Sequence, residues 1–144
     1  MSEIKAANGA AVKFNAGDVT VKYDVSGTKI TGVSGTATPI IYIPVTNPVS
    51  TTYTIQNVKV DFAGGADSGS TTGTVTDMWV YFGNTFVYNA GLDWTYTSTF
   101  DAKIPNNFKI ADASSYGVLV GLKLNLPSTG SYITLYSVDV TFKQ

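Results

Sequence analysis

The sequence predicts an all-β fold, an antiparallel β-sandwich or jelly roll of about nine to ten strands, with a closed antiparallel barrel as the alternative. Apolar and polar residues alternate along most of the chain, which is the period of a strand with one buried face. Turn-forming residues recur about every 8–12 residues. Charged residues make up only 13% of the chain, and Thr, Gly, Tyr and Asn, which suit strands and turns, are abundant.

The chain length of 144 residues fits one domain, which we expect to span residues 1–144. No segment keeps a helical apolar period for more than two turns. Neither half of the chain carries enough apolar segments for a core of its own, so the Gly- and Ser-rich stretch at residues 64–73 is interpreted as a flexible loop inside the domain.

The first strands are predicted from alternation. Residues 19–25 place Val19, Val21, Tyr23 and Val25 on one face. A turn at Ser26-Gly27 leads to a second strand over residues 28–33.

The third segment, residues 38–45, is almost continuously apolar, which indicates a strand that is central or covered on both faces. Pro44 and Pro48 are expected to end it, because proline cannot donate to the strand ladder. In residues 53–63 the apolar parity changes between Ile55 and Val58, which predicts a β-bulge near Gln56-Asn57.

Residues 74–82 predict a strand that is apolar on both faces. Gly83-Asn84 predicts a hairpin back into residues 85–88, and a further strand is expected over residues 94–100. The predicted faces of the first of these strands are Met78, Val80 and Phe82 on one side, and Val75, Asp77, Trp79 and Tyr81 on the other.

The C-terminal region carries the clearest core pattern. A short strand is expected at residues 108–110, a tight turn at residues 127–130 and a closing strand over residues 132–142. The predicted inward-facing residues are Val118, Val120, Leu122, Leu124, Leu126, Tyr136, Val138, Val140 and Phe142.

Composition excludes several chemistries. The chain has no Cys and no His, which rules out thiol chemistry, His-based triads and Cys/His metal sites. All nine cationic residues are Lys, they are scattered, and the net charge is −1, so nucleic acid is not an expected partner. No apolar run is long enough to insert into a membrane. The first residues carry no signal segment, so a cytoplasmic location is expected unless an export signal was removed, in which case an extracellular or cell-surface location is favoured.

Three motifs resemble a family of small single-domain bacterial β-sandwich proteins to which no chemistry is assigned. They are residues 8–12 (NGAAV), residues 41–49 (IYIPVTNPV), and the 77–88 hairpin followed by residues 117–122 (GVLVGL). The sequence differs from that family in the wider spacing of Pro44 and Pro48 and in the lack of a His before Asn8. The resemblance implies a sandwich fold and nothing about catalysis.

A cluster of aromatic residues carries the main functional signal. Aromatic faces stack on the C–H faces of sugar rings, while nearby amides and carboxylates bind the hydroxyl groups. The alternative is that these aromatics belong to the core or to cross-strand pairs. The candidate ligand-binding residues are Trp79, Tyr81, Asn84, Tyr88, Asp93, Trp94 and Tyr96.

Two further chemistries are considered. Asp77 and Asp93, beside Trp79 and Trp94, could form a carboxylate pair for glycoside hydrolysis, but solvent-facing turn or edge positions are the simpler interpretation. No catalytic residue or cofactor is therefore predicted. Oxygen ligands at Asp67, Asn89 and Asp93 are candidates for a structural Ca²⁺.

Two functions follow from the sequence. The first is a non-catalytic carbohydrate-binding module with a glycan as partner. The second is a structural or self-assembling protein whose partner is itself, as a homo-oligomer, filament or surface layer, because low charge and many strands favour association.

Overall fold

A computed structural model of the chain describes residues 2–8, 13–14, 18–46, 54–82, 85–89, 95–105 and 117–143. Within these ranges the chain forms eleven β-strands, and no helix is long and apolar enough to cross a membrane. The strands are β1 (Ser2–Asn8), β2 (Lys13–Phe14), β3 (Val19–Asp24), β4 (Gly27–Gly32), β5 (Ile40–Val45), β6 (Thr54–Ala66), β7 (Thr74–Phe82), β8 (Thr85–Asn89), β9 (Ser98–Lys103), β10 (Val118–Asn125) and β11 (Ser131–Lys143).

The strands form two antiparallel sheets. Sheet A has the order β3-β4-β11-β6-β9, and β1 also pairs with β11. The long β11 has room for two partners on one side, because β4 pairs with residues 132–135 and β1 with residues 137–143. Sheet B has the order β2-β5-β10-β7-β8. The predicted sandwich is confirmed, and the described strands form no closed barrel.

The core lies between the two sheets and is built from alternate residues of their central strands. All five apolar residues predicted on one face of residues 118–126 are at most 2% exposed, and so are Val138, Val140 and Phe142 of β11. Burying one such side chain stabilises the fold by about 1.5–3 kcal/mol.

A bulge in β6 confirms the prediction made from its parity change. Asn57 pairs with Thr141 and Ile55 pairs with Phe142, so Gln56 has no direct partner on β11. The extra residue lets Ile55 and Val58, which have opposite parity, both face the core.

Two other bulges overturn predicted orientations. On β7, Asp77 pairs with Lys123 and Val75 with Leu124, so Thr76 is the extra residue and Val75 is buried on the same side as Met78. On β11, Tyr136 is the extra residue between two pairs with β6 and is 40% exposed, so its predicted inward position is wrong.

Several predicted strand ends are also wrong. Pro44 lies inside β5, where β2 pairs only with Ile41 and Tyr42, so a missing donor at Pro44 is compatible with the ladder. The turn after β3 is centred on Val25-Ser26, because Asp24 pairs with Gly27. Val25 at this turn and Tyr23 near it are exposed, while Val19 and Val21 pack against the core.

The stretch predicted as a flexible loop is shorter and held in place. β6 continues to Ala66, which shortens the loop. The predicted turn at residues 127–130 is confirmed, and the remaining loop lies against it. The Asp67 N–H donates to the Gly130 carbonyl (2.9 Å), the Ser70 hydroxyl to the Thr129 carbonyl (2.6 Å), and the Thr71 N–H to the Ser128 hydroxyl (2.9 Å).

Neither β1 nor β2 was predicted, because the first has a weak apolar pattern and the second is only two residues long. The strand expected at residues 108–110 lies outside the described residues, and so does Pro48.

Candidate functional site

Strand β7 carries two aromatic rings on the face of sheet B that points away from the core. Met78 and Val80 are buried between the sheets, so the alternate residues Trp79 and Tyr81 lie on the outer face, where both are half-buried. The prediction that these two rings share one strand face is confirmed.

The register of sheet B aligns Trp79 with residues of three neighbouring strands. Gly121 of β10 pairs with Trp79 on one side and with Tyr42 of β5 on the other, and Trp79 also pairs with Asn89 of β8. Directly paired residues share a face of the sheet. These four residues therefore form one row across the outer face, which we call the Gly121 row.

Three rings meet above Gly121. A Cβ atom built on Gly121 would lie 3.5 Å from Trp79 Cε3, 3.5 Å from Tyr81 Cε2 and 3.6 Å from Tyr42 Cδ1. Residues two strands apart in a sheet are separated by about 9.5 Å. Yet the Tyr42 and Tyr81 ring centroids are only 6.3 Å apart, at an interplanar angle of 64°, because no side chain stands between them. Tyr42, Trp79 and Tyr81 are called the aromatic platform below.

The surroundings of Tyr81 raise the pKa of its phenol. Partial burial raises the pKa of Tyr81 above 10.0, and the neighbouring Tyr42 phenol raises it further. A neutral phenol offers an O–H donor and an acceptor to a polar ligand at neutral pH.

Opposite charges lie beside the platform. Asp77 of β7 pairs directly with Lys123 of β10, one row from Trp79 and Gly121. Asp77 Oδ1 also accepts a hydrogen bond from the Met78 N–H (2.8 Å). Because the two charges face each other on adjacent strands, the described side chains on this side of the platform carry no net charge.

The predicted site residues fall into three groups. Trp79, Tyr81 and Asn89 lie together on the outer face of sheet B. Tyr88 pairs with Val80 and packs against the core, and Tyr96 stacks on Phe100 with ring centroids 4.4 Å apart. Outside the described residues lie Asn84, Asp93 and Trp94.

The predicted calcium ligands are not brought together by the described part of the chain. Asp67 follows β6 of sheet A, whereas Asn89 ends β8 of sheet B. Within the described ranges, no three Asp or Glu residues form a group that could hold a metal ion. A structural Ca²⁺ stays a prediction.

Tyr42 and Gly121 were not among the predicted site residues. Tyr42 was assigned to an apolar strand that is central or covered on both faces, and Gly121 only to the face of β10 opposite its apolar residues. Alternation alone could have placed both on outer faces, but their meeting with Trp79 depends on the register between strands that are distant in sequence.

A groove of about 490 Å³ lies on sheet A, away from the platform. It is lined by Gln56 and Asn57 at the β6 bulge and by Lys103, Ile104 and Pro105 after β9. The Ile104 N–H donates to the Gln56 carbonyl (2.9 Å), and Asn57 Nδ2 donates to Asp101 Oδ1 (2.7 Å). These bonds hold the groove walls together.

Comparisons with known proteins give a fold likeness. No protein-family model matches the sequence, and neither does any curated protein. The chain is similar to the solved structure of a low-affinity xylan-binding module, CBM86, from the gut symbiont Roseburia intestinalis. The TM-score is 0.53 at 9% identity, and the match covers 98% of this chain and 96% of that one.

Two other solved structures are less similar. The Agl-KA catalytic domain matches with a TM-score of 0.48 at 8% identity, over 95% of this chain and 27% of that one. A carbohydrate esterase from the Shiga toxin-encoding bacteriophage phi24B matches with a TM-score of 0.42 at 8% identity, over 96% and 97% of the two chains. At such identities the likeness to CBM86 shows the fold alone. By its fold, the chain is a β-sandwich of the kind that the xylan-binding module also adopts.

Proposed function

We propose that this chain is a non-catalytic carbohydrate-binding module and that the aromatic platform is its binding surface. The observation that carries the proposal is the meeting of Tyr42, Trp79 and Tyr81 over Gly121, on the outer face of sheet B. These rings come from two separate strands and lie outside the core, where an aromatic cluster marks a binding surface.

Sugar rings suit such a surface. Their C–H faces pack against aromatic faces, and the polar groups at the rim bind the hydroxyl groups. Asn89 in the Gly121 row and the neutral Tyr81 phenol supply such groups. The sandwich shared with a xylan-binding module supports the carbohydrate class.

Removing one platform ring tests the proposal. Migration in gels that contain cellulose derivatives, glucomannan, xylan or chitosan would identify the polysaccharides that retard the chain. We expect Trp79→Ala and Tyr42→Ala each to weaken that binding about 30-fold, as the loss of an aromatic contact worth about 2 kcal/mol would.

Tyr136→Ala is the matched control. Tyr136 is an exposed tyrosine on β11 of sheet A, so its removal should leave polysaccharide binding unchanged. Circular dichroism of each variant separates lost binding from lost folding. Two results would contradict the proposal. One is that the Trp79→Ala and Tyr136→Ala variants bind equally well, and the other is that no polysaccharide retards the native chain.

The self-assembling alternative predicts a different result. A chain that is retarded by no polysaccharide but forms a stable oligomer in light scattering would favour a structural role, with the platform as a contact surface between copies.

A further inference from the structure

Strand β3 forms one edge of sheet A, and within the described ranges no strand pairs with its outer side. It pairs with β4 along its whole length without a bulge. At the opposite edge of the sheet, a register shift between Val60 and Ala63 interrupts the pairing of β6 with β9. Bulges and irregular pairing protect a sheet edge from association, so β3 is the better template for a further strand.

The backbone groups of Val19 and Val21 point away from β4. The Val33 N–H donates to the Asp18 carbonyl (3.0 Å), so Asp18 is a hydrogen-bonded position on the side of β4. Such positions alternate along an antiparallel ladder, so the other even-numbered residues of β3 also direct their N–H and C=O groups toward β4. The N–H and C=O groups of Val19 and Val21 are therefore directed to the outer side of β3.

The side chains at this edge form an apolar face and a polar face. Val19 and Val21 are half-buried and pack against the core. Asp18, Thr20 and Lys22 are exposed on the other face of the sheet. A lysine on an edge strand ordinarily hinders pairing with another chain. Here a carboxylate lies on the same face as the lysine, so two antiparallel copies of the strand can place opposite charges against each other.

We infer that β3 pairs antiparallel with β3 of a second copy of the chain, with Thr20 of one copy opposite Thr20 of the other. Val19 of each copy then lies opposite Val21 of the other, and the two exchange backbone hydrogen bonds. Asp18 of each copy lies opposite Lys22 of the other, at a non-hydrogen-bonded position where side chains come closest. The dimer is isologous, and sheet A continues across it.

Charge selects this register over its neighbours. A shift that places Val21 opposite itself brings Asp18 opposite Asp24, and a further shift places Lys22 opposite itself. Like charges directly opposite each other destabilise a strand pair. A longer shift in the same direction is prevented by the turn at Val25-Ser26, which ends the strand.

The pairing sets the direction of the two aromatic platforms. Core-facing residues pair with core-facing residues, so the two-fold axis is perpendicular to sheet A, and sheet B of both copies lies on the same side of it. The platforms on the outer faces of sheet B then face the same way, and both can contact one polysaccharide surface. This consequence rests on the proposed function, whereas the dimer itself does not.

Sedimentation equilibrium of the native chain over a range of concentrations measures the association. Pairing through one strand buries little surface, so we expect a weak dimer with a Kd of about 10–100 µM. Val21→Pro removes an outward N–H without removing a bond to β4, and it should weaken the dimer about 30-fold or more. Circular dichroism of each variant checks the fold.

Reversal of the two charges tests the register. Lys22→Glu places a carboxylate opposite Asp18, and Asp18→Lys places an ammonium group opposite Lys22, so each variant alone should dimerise about 30-fold more weakly than the native chain. An equimolar mixture of the two variants should form a heterodimer of near-native affinity, because both facing pairs are again opposite in charge. Lys103→Glu makes the same change of charge at an exposed residue of β9 and should leave the native dimer unchanged.

Three results would overturn the inference. A native chain that stays monomeric at about 1 mM shows that the edge does not pair. A dimer that Lys22→Glu and Lys103→Glu weaken equally is not held by the β3 edge. A mixture of the Asp18→Lys and Lys22→Glu variants that stays monomeric excludes the register. None of these results bears on carbohydrate binding, which the Trp79→Ala variant tests separately.

Discussion

Gly121→Val is expected to weaken carbohydrate binding strongly, whereas Gly121→Ala is expected to retain it. A Cβ atom at this position lies in ordinary van der Waals contact with all three platform rings, at 3.5–3.6 Å. The methyl group of alanine therefore fits. The two additional methyl groups of valine would extend into the space that the rings occupy, and the rings would have to separate.

The expected loss for the valine variant is about 30-fold or more in affinity, comparable with removal of a whole ring. Stability should change little, because the added groups point away from the core and β-branched residues suit strands. Gel retardation by glucomannan and xylan, with urea unfolding of both variants, gives the comparison. If the Gly121→Ala and Gly121→Val variants bind equally weakly, the loss of affinity does not come from separation of the rings.

Gly64→Ala is expected to destabilise the fold by about 3 kcal/mol or more. A Cβ atom on Gly64 would overlap the carbonyl oxygen of Gly73 and would lie 3.2 Å from the carbonyl oxygen of Thr97. Both obstacles are backbone atoms held by hydrogen bonds. The Gly64 N–H donates to Thr97 (2.8 Å), and the Gly73 N–H donates to Gly65 (3.0 Å).

Gly69→Ala is the control for this effect. Gly69 has a positive φ of 81° and no heavy atom within 4 Å of a built Cβ, so alanine there costs only the strain of a left-handed backbone, about 1 kcal/mol. Urea denaturation gives the free energy of unfolding of each variant. A Gly64→Ala variant no less stable than Gly69→Ala would show that the β6 backbone and the loop can move apart.

Alternation predicted those parts of the fold that depend on one strand at a time. The buried face of β10 and the shared face of Trp79 and Tyr81 follow from a period of two. The Gln56 bulge was also visible, because apolar residues of both parities flank it. The bulge at Tyr136 carries the same signal, because Ile133 and Leu135 have the opposite parity from Val138 and Val140. It was missed because the aromatic Tyr136 shares the parity of Val138 and was assigned to the inward face.

The site depends on register and was predicted only in part. Tyr88 lies close to Trp79 in the sequence, but a register shift in the β7–β8 hairpin pairs it with Val80 and turns it toward the core. Tyr42 lies far from Trp79 in the sequence and shares its row only through Gly121 of β10. A prediction based on proximity in the sequence therefore included Tyr88, which the fold turns away from the site, and left out Tyr42, which the fold brings into it.

The fluorescence of Trp79 tests the central claim most directly. The chain has two tryptophans, so the Trp94→Phe variant reports on Trp79 alone. Titration of that variant with soluble glucomannan, β-glucan and xylan in turn should give, for at least one of them, a saturable change in emission at the concentrations that retard the chain in gels. Retardation by a polysaccharide while the Trp79 emission stays constant would place binding elsewhere on the molecule and would contradict the assignment of the platform.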